Sequence, residues 1–287
     1  MSLKLKDKLA LGTVQFGINY GIGNSMGKTP EHEVSKILDL AYQNGISLID
    51  TAQAYGSSEK ILGKYHQNRF KTITKLNSNL INKQATDSLI EESLKKLQVE
   101  SIYGVLFHSI LNLTNDQKIY EVLLNFKSKN VVEKLGISAT TIDEIEIYIE
   151  KFGLPDILQI PYNIVDRRFK NILIDLHKQG VEIHSRSTFL QGLFFTETSK
   201  LSSHFNQIKP FIVKLQNHFR KKEKLARFLL LTVLENNFID KVIIGVNNSA
   251  QLLSNLSDLK LQTDFLDKNV IPELSDNILN PSLWPKN

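Results

Sequence analysis

The apolar residues of this chain alternate between two rhythms. Short continuous runs, the mark of buried strands, are followed by longer stretches with apolar residues three and four apart, the mark of amphipathic helices. Leu9–Val14 reads as a strand, and Glu31–Asn44 as a helix with Val34, Ile37, Leu38 and Ala41 on one face and Gly45 as its stop. The alternation continues with strand Ser47–Thr51 and helix Ser58–Tyr65, then strand Thr72–Lys75 and helix Ala85–Leu97. Strand Tyr103–Phe107 and helix Gln117–Lys129 follow, then strand Lys134–Ser138 and helix Ile142–Phe152. Strand Ile157–Ile160, helix Phe169–Gln179, strand Val181–His184, a long helical region Ile208–Glu235, strand Lys241–Gly245 and helix Ala250–Leu259 complete eight units.

Strands separated by helices imply a parallel sheet with right-handed crossovers. Eight such units in one chain of 287 residues fit a closed (β/α)8 TIM barrel better than an open sheet. No Gly-, Ser- or Pro-rich linker interrupts the series, so residues 1–287 read as one domain. Residues 263–287, with Pro272, Pro281 and Pro285, read as a tail packed on the barrel. The structural rival is a doubly wound sheet, which holds a dinucleotide on a GxGxxG turn opening a helix. Here the first strand leads into Gly12-Thr13-Val14-Gln15-Phe16-Gly17 and then Gly21 and Gly23, with no helix starting there. These glycines read as a loop.

Composition narrows the chemistry. Cysteine is absent, which removes disulfides, thiolate metal sites and a cysteine nucleophile together. The formal charge of +5 is a mild excess, and its one dense basic run, Arg220-Lys221-Lys222-Glu223-Lys224, carries no interleaved aromatic residue. It reads as a solvated helix face, and no nucleic-acid partner is expected. Neither a signal-peptide pattern nor an apolar stretch of membrane-spanning length is seen, so a cytoplasmic protein with no membrane association is expected. The oligomeric state is not legible.

In a barrel of this kind the C-terminal strand ends converge on one mouth. Here those ends are polar: Asp50, with Tyr55 five residues on; Lys75; His108; Ser138; Gln159; and Ser185. A lysine ammonium close to a phenol stabilises the phenolate and lowers its pKa. An aspartate would keep that lysine charged, and a neutral histidine can polarise a carbonyl. The set makes a proton donor for an oxygen that gains charge, and a hydride must come from a cofactor. Taken alone, Asp50 and Lys75 could equally be a structural ion pair.

Asp50, Tyr55, Lys75 and His108 resemble, in order and spacing, the catalytic tetrad of the aldo-keto reductases. Asp-Thr-Ala-Gln-Ala-Tyr-Gly from Asp50 to Gly56, Gln159-Ile-Pro-Tyr-Asn163, and Val242 to Gly245 with Asn255 are similar to that family's patterns. The resemblance implies reduction of an aldehyde or ketone by NADPH or NADH, with Tyr55 as general acid, Lys75 and Asp50 tuning it and His108 orienting the carbonyl. It implies Ser138 and Gln159 at the nicotinamide carboxamide, and His184 where the family often stacks an aromatic residue. Gly12, Thr13, Ser185, Arg186 and Gly192 would follow the rest of the cofactor, with Gly245, Gln251 and Asn255 at its adenosine end; read on its own, Arg186 could equally bind an anionic substrate or a cofactor phosphate, or pair with an acid. The basic pair that clamps a 2′-phosphate is replaced by Gly245 and Gln251, so a weak NADPH preference is expected unless Lys241 or Lys260 substitutes. Arg186-Ser-Thr-Phe-Leu-Gln-Gly192 is similar to a subgroup found beside bacterial polysaccharide genes, which suggests a sugar or nucleotide-sugar carbonyl as the small-molecule partner. The competing reading is a non-catalytic barrel that keeps the cofactor as a sensor or regulatory subunit.

Overall fold

The computed structural model describes residues 5–77, 83–110, 117–257, 259 and 271–285. Eight strands, β1 (Leu9–Gly12), β2 (Leu48–Asp50), β3 (Lys71–Leu76), β4 (Ile102–Phe107), β5 (Val132–Ser138), β6 (Ile157–Pro161), β7 (Glu182–Arg186) and β8 (Lys241–Gly245), pair in parallel in chain order. The sheet closes with Leu9 of β1 level with Val242 of β8. The (β/α)8 TIM barrel expected from the sequence is therefore the observed fold. The strands are surrounded by α1 (Glu31–Gln43), α2 (Ser58–Tyr65), α3 (Lys83–Leu97), α4 (Gln117–Ser128), α5 (Ile142–Phe152) and α6 (Lys170–Lys178). Next come α7 (Lys209–Phe219), α8 (Lys222–Leu234), α9 (Ser249–Leu256) and the single turn α10 (Asp276–Leu279).

Strand side chains alternate between two cores. Leu9 and Leu11 of β1 point outward and pack with Val34, Ile37 and Leu38 of α1. Ala10 points inward and joins Leu48, Ile73, Leu106, Ile157 and Ile243, one from each of six strands, in the barrel interior. Each buried Leu or Ile is worth roughly 1.5–3 kcal/mol. A one-residue slip of β2 would put Asp50 among the helices and Ile49 inside, so these apolar side chains set the register that points Asp50 inward.

Two features depart from the sequence reading. One helical turn, Val14–Gly17, forms directly after β1, where no helix was expected to start. The long helical region divides into α7 and α8 at Arg220, whose φ is +54°. The five charged residues from Arg220 offer no apolar position to carry the buried stripe across, and the basic run forms a corner rather than one helix face. The described part of the tail packs against α7. Ile278, Leu279 and Trp284 join Phe205, Phe211 and Leu215 in a second core, and the Trp284 indole donates to the Ile278 carbonyl at 3.0 Å. Residues 263–270 lie outside the described residues.

Candidate active site

The inward alternation that places Leu48, Ile73, Leu106, Ile157 and Ile243 in the interior places Asp50, Lys75, His108, Gln159 and Gly245 two residues later, at the mouth. Lys75 is fully buried. Its ammonium donates to both carboxylate oxygens of Asp50, at 2.7 and 2.6 Å, and to the Thr51 carbonyl at 2.9 Å. The Gln159 amide donates to Asp50 Oδ1 at 2.8 Å and accepts from the Ser138 hydroxyl at 3.3 Å. Asp50 is thus the hub of a buried network that satisfies both oxygens. Thr13 donates its hydroxyl to the Asp50 carbonyl at 2.9 Å, so this residue, expected at the cofactor, also pins β1 to β2.

Tyr55 sits in the turn between β2 and α2. Lys75 Nζ lies 5.1 Å from the centre of its ring, and the His108 ring meets it edge-on at 6.0 Å. The turn is seated on Gly17: a Cβ there would fall 1.6 Å from the Tyr55 carbonyl oxygen. Burial, and then the Asp50 charge, raise the Tyr55 pKa, while Arg186 pulls it down. Burial lowers the Lys75 pKa against the pull of Asp50. Burial, with the charges of Lys75 and Arg186, brings His108 down to about 4. The site therefore holds a protonated phenol beside a neutral imidazole at neutral pH. Lys75 is engaged by Asp50, and Arg186 adds a second positive charge that draws the phenol pKa down.

These groups open into a cavity of about 1320 Å³. Of the residues singled out in the sequence, Gly12, Thr13, Asp50, Tyr55, His108 and Ser138 line its inner end. Arg186 joins them there through its contact with Ser138, and Gly192, Gly245, Gln251 and Asn255 line the rest. Lys75 and Gln159 stand behind Asp50. His184 and Ser185 do not line it. Strand β7 runs on to Arg186, so the inward residue at the mouth is Arg186, and His184 is one inward position deeper. His184 is wholly buried and donates from Nε2 to Glu182 at 2.6 Å, which removes it from the stacking place expected for it. Ser185 has the opposite alternation, and its hydroxyl approaches the Lys241 carbonyl at 3.5 Å.

The structure adds residues that the sequence reading missed. Tyr20, Gln15, Thr188 and Gln191 line the cavity. The loop after β1 meets the loop after β7 across it: Gly23 and Gly192 lie back to back, where a Cβ on Gly23 would reach the Gly192 oxygen at 2.9 Å. Gln191 donates to the Tyr20 hydroxyl at 2.9 Å, and burial pushes the Tyr20 pKa up to about 12. The glycine-rich stretch after β1 was the available signal, but its partner lies about 170 residues away and a single sequence does not reveal the pairing. Glu144 ties the rim together. It closes a capping box with Thr141 at the start of α5, and its carboxylate accepts from Ser109, beside His108, at 3.0 Å and from the Thr140 amide at 2.6 Å.

The cavity suits a long polar ligand. Gln15 Oε1 and Thr188 Oγ1 are buried on its wall, and neither has a hydrogen-bond partner among the described residues, an arrangement that ordinarily costs about 1–3 kcal/mol per group unless a ligand or water supplies one. Beyond Gly245 the lining is Asn247, Asn248, Ala250, Gln251, Ser254 and Asn255, which carry no charge. The Gln251 side chain is already engaged by the Asn247 amide at 2.8 Å. Lys241 begins β8 at the opposite end of the barrel and donates to the Asp7 carbonyl at 2.7 Å, so it cannot serve this arm. Lys260 lies outside the described residues.

A model of the aldo/keto reductase family matches residues 8–273. An uncharacterized oxidoreductase of Bacillus subtilis is 24% identical over 275 residues, covering 87% of this chain and 90% of its own. An NADH-specific methylglyoxal reductase of Escherichia coli is 30% identical over 181 residues, covering 53% of this chain and 55% of its own. Among solved structures, the holo form of an aldo-keto reductase from Bacillus halodurans superposes with a TM-score of 0.70 at 19% identity, over 87% of this chain and 85% of its own. One from Klebsiella pneumoniae in complex with NADPH gives 0.67 at 17%, over 88% and 85%.

Proposed function

The chain belongs to the aldo/keto reductase family and is an NAD(P)H-dependent oxidoreductase, and from that premise we propose that it reduces a small aldehyde or ketone with Tyr55 as the proton donor. The observation that carries this reading is the buried Tyr55 phenol meeting the His108 ring edge-on at 6.0 Å at the inner end of one cavity, where burial raises the phenol pKa and lowers that of the imidazole. When bound, the cofactor supplies the hydride. His108, neutral, donates a hydrogen bond to the carbonyl oxygen and polarises it. Tyr55 donates the proton as negative charge grows on that oxygen. Lys75 and Asp50 form the rigid floor beneath the phenol, and Gln159 and Ser138 hold Asp50 in place. A small oxo compound or a sugar carbonyl fits the reading. The relative named as a methylglyoxal reductase supports the former, and the Arg186–Gly192 stretch suggested the latter. A barrel that merely sensed the cofactor would have no use for an acid phenol at this point.

Tyr55→Phe keeps the ring and its packing and removes the hydroxyl. Positioned general acids contribute roughly 10²–10⁴-fold, so the turnover number should fall by that order while the dissociation constants of NADH and NADPH hold. Near-normal turnover in this variant would sink the assignment and return Asp50–Lys75 to a structural ion pair.

A further inference from the structure

Arg186 is the one inward residue at the mouth whose charge nothing in the tetrad absorbs. Its Nε is 3.3 Å from the Ser138 hydroxyl, and its Nη2 is 3.1 Å from both the Ala139 carbonyl and the Thr140 hydroxyl. All three acceptors are neutral. Among the described residues no carboxylate forms an ion pair with it, and Asp50, the acid at the inner end of the same cavity, is bound by Lys75 and Gln159. The other charged residues on the described wall, Lys222 and Glu223, are adjacent, opposite in sign and exposed. The Glu144 carboxylate is engaged by the Thr140 amide and forms no ion pair with Arg186, so among the described residues the inner end of the cavity carries the Arg186 charge without a paired acid.

That charge acts over the reaction centre. It opposes proton uptake by His108 and retention of the proton by Tyr55 and Tyr20. The reaction changes charge in the same place. The carbonyl carbon gains a hydride with its electron pair, the oxygen gains the Tyr55 proton, and solvent returns a proton to the phenolate. A nicotinamide bound there would supply that hydride and become cationic. Hydride transfer requires that ring to be in contact with the carbonyl held by Tyr55 and His108, within the reach of Arg186.

On the reductase reading given above, we infer that Arg186 makes the site select the reduced cofactor over the oxidised one, so that the enzyme expels NAD(P)+ and runs as a reductase rather than a dehydrogenase. A unit charge several ångströms away at an effective dielectric of about 20 changes binding by roughly tenfold or more. The test is calorimetric titration of NADH, NAD+, NADPH and NADP+ into the wild type, Arg186→Gln and Arg186→Lys. In the wild type the reduced form should bind about tenfold or more tightly than its oxidised partner, in whichever pair binds. Arg186→Gln should cut that ratio at least roughly fivefold, chiefly by tightening the oxidised form. Arg186→Lys keeps the charge and should keep most of the ratio. A wild-type ratio near one, or a ratio unchanged in Arg186→Gln, overturns the inference, and the first of these needs no variant to fold. If none of the four nucleotides binds, the reductase reading fails with it. If all bind but equally within each redox pair, only the inference does.

Discussion

At the scale of single residues, the protonation of two side chains fixes the pH behaviour. Burial, with the charges of Lys75 and Arg186, holds His108 near a pKa of 4, so it becomes an imidazolium only in acid. Tyr55 is shifted the other way, so its proton stays on the oxygen well into the alkaline range. The acid needed for reduction is thus present on both sides of neutrality, and turnover should stay flat between about pH 5 and pH 9. A pH–rate profile with an alkaline limb near neutrality would show that the phenol ionises far below its expected range. A second residue-scale expectation concerns Gly17. A methyl there would meet the Tyr55 carbonyl at 1.6 Å and the Ser58 amide at 2.7 Å, both backbone atoms that cannot swing aside. Gly17→Ala should displace the turn that carries the phenol. We expect kcat/KM to fall by about tenfold or more and the melting temperature to drop by several degrees, because overpacking costs roughly 1–3 kcal/mol. Wild-type kinetics in this variant would show that the Tyr55 turn yields freely.

At the scale of elements, the eight strand–helix units were legible because their apolar periods differ; Asp50 and His108 were legible because each ends or directly follows a run of apolar strand residues, and Lys75 because it follows the β-branched run Thr72-Ile73-Thr74. The end of β7 was not. Its apolar pattern stops at Ile183, and inside a barrel a strand can continue through polar residues because they face one another rather than water. The longer strand makes Arg186 the inward residue at the mouth, where the sequence reading had Ser185 as the strand's polar end and His184 at the nicotinamide. Nor was the meeting of the β1 and β7 loops legible, since no local pattern encodes a contact between distant glycines. The start of α9 carries the cofactor expectation. Asn248 caps this helix by accepting from the Gln251 amide, and the Glu33 carboxylate accepts from both the Ser249 amide and its hydroxyl at 2.6 Å. An acid already holds the positive end of the helix, where a phosphate would otherwise gain. NADPH should therefore bind no more than about tenfold more tightly than NADH, and Glu33→Gln should move the ratio towards NADPH. A hundredfold preference for NADPH in the wild type would show that a clamp exists elsewhere.

At the scale of the whole molecule, the two ends of the barrel divide chemistry from stability. The end away from the cavity is closed by Glu182, which accepts from Tyr103 at 2.7 Å and from His184 at 2.6 Å and is paired with Lys134. Burial by itself would raise the Glu182 pKa, but its hydrogen bonds, led by that from His184, lower it well below the usual carboxylate range. A carboxylate depressed in the folded state contributes stability above its unfolded pKa, near 4.3, and that contribution is lost as pH falls from there towards the folded value. Glu182→Gln should therefore cost roughly 1–3 kcal/mol at pH 7 and progressively less below about pH 4, which urea unfolding at both pH values would reveal. An equal cost at both would mean that the network acts through packing alone. At the other end, the joined loops have a consequence for timing. Gly23 and Gly192 touch without side chains, and among the described residues the two loops are joined by the hydrogen bond from Gln191 to the Tyr20 hydroxyl, a long backbone bond from the Gly23 amide to the Gln191 carbonyl at 3.4 Å, and the packing of Ile22 against the core that holds Leu190 and Leu193. A trench can be filled from above, whereas a hole under a bridge must be threaded or the bridge raised. A nucleotide bound beneath the joined loops would enter and leave at a pace set by how often this fastening lets go, and its dwell would depend on the bridge as much as on the contacts beneath it.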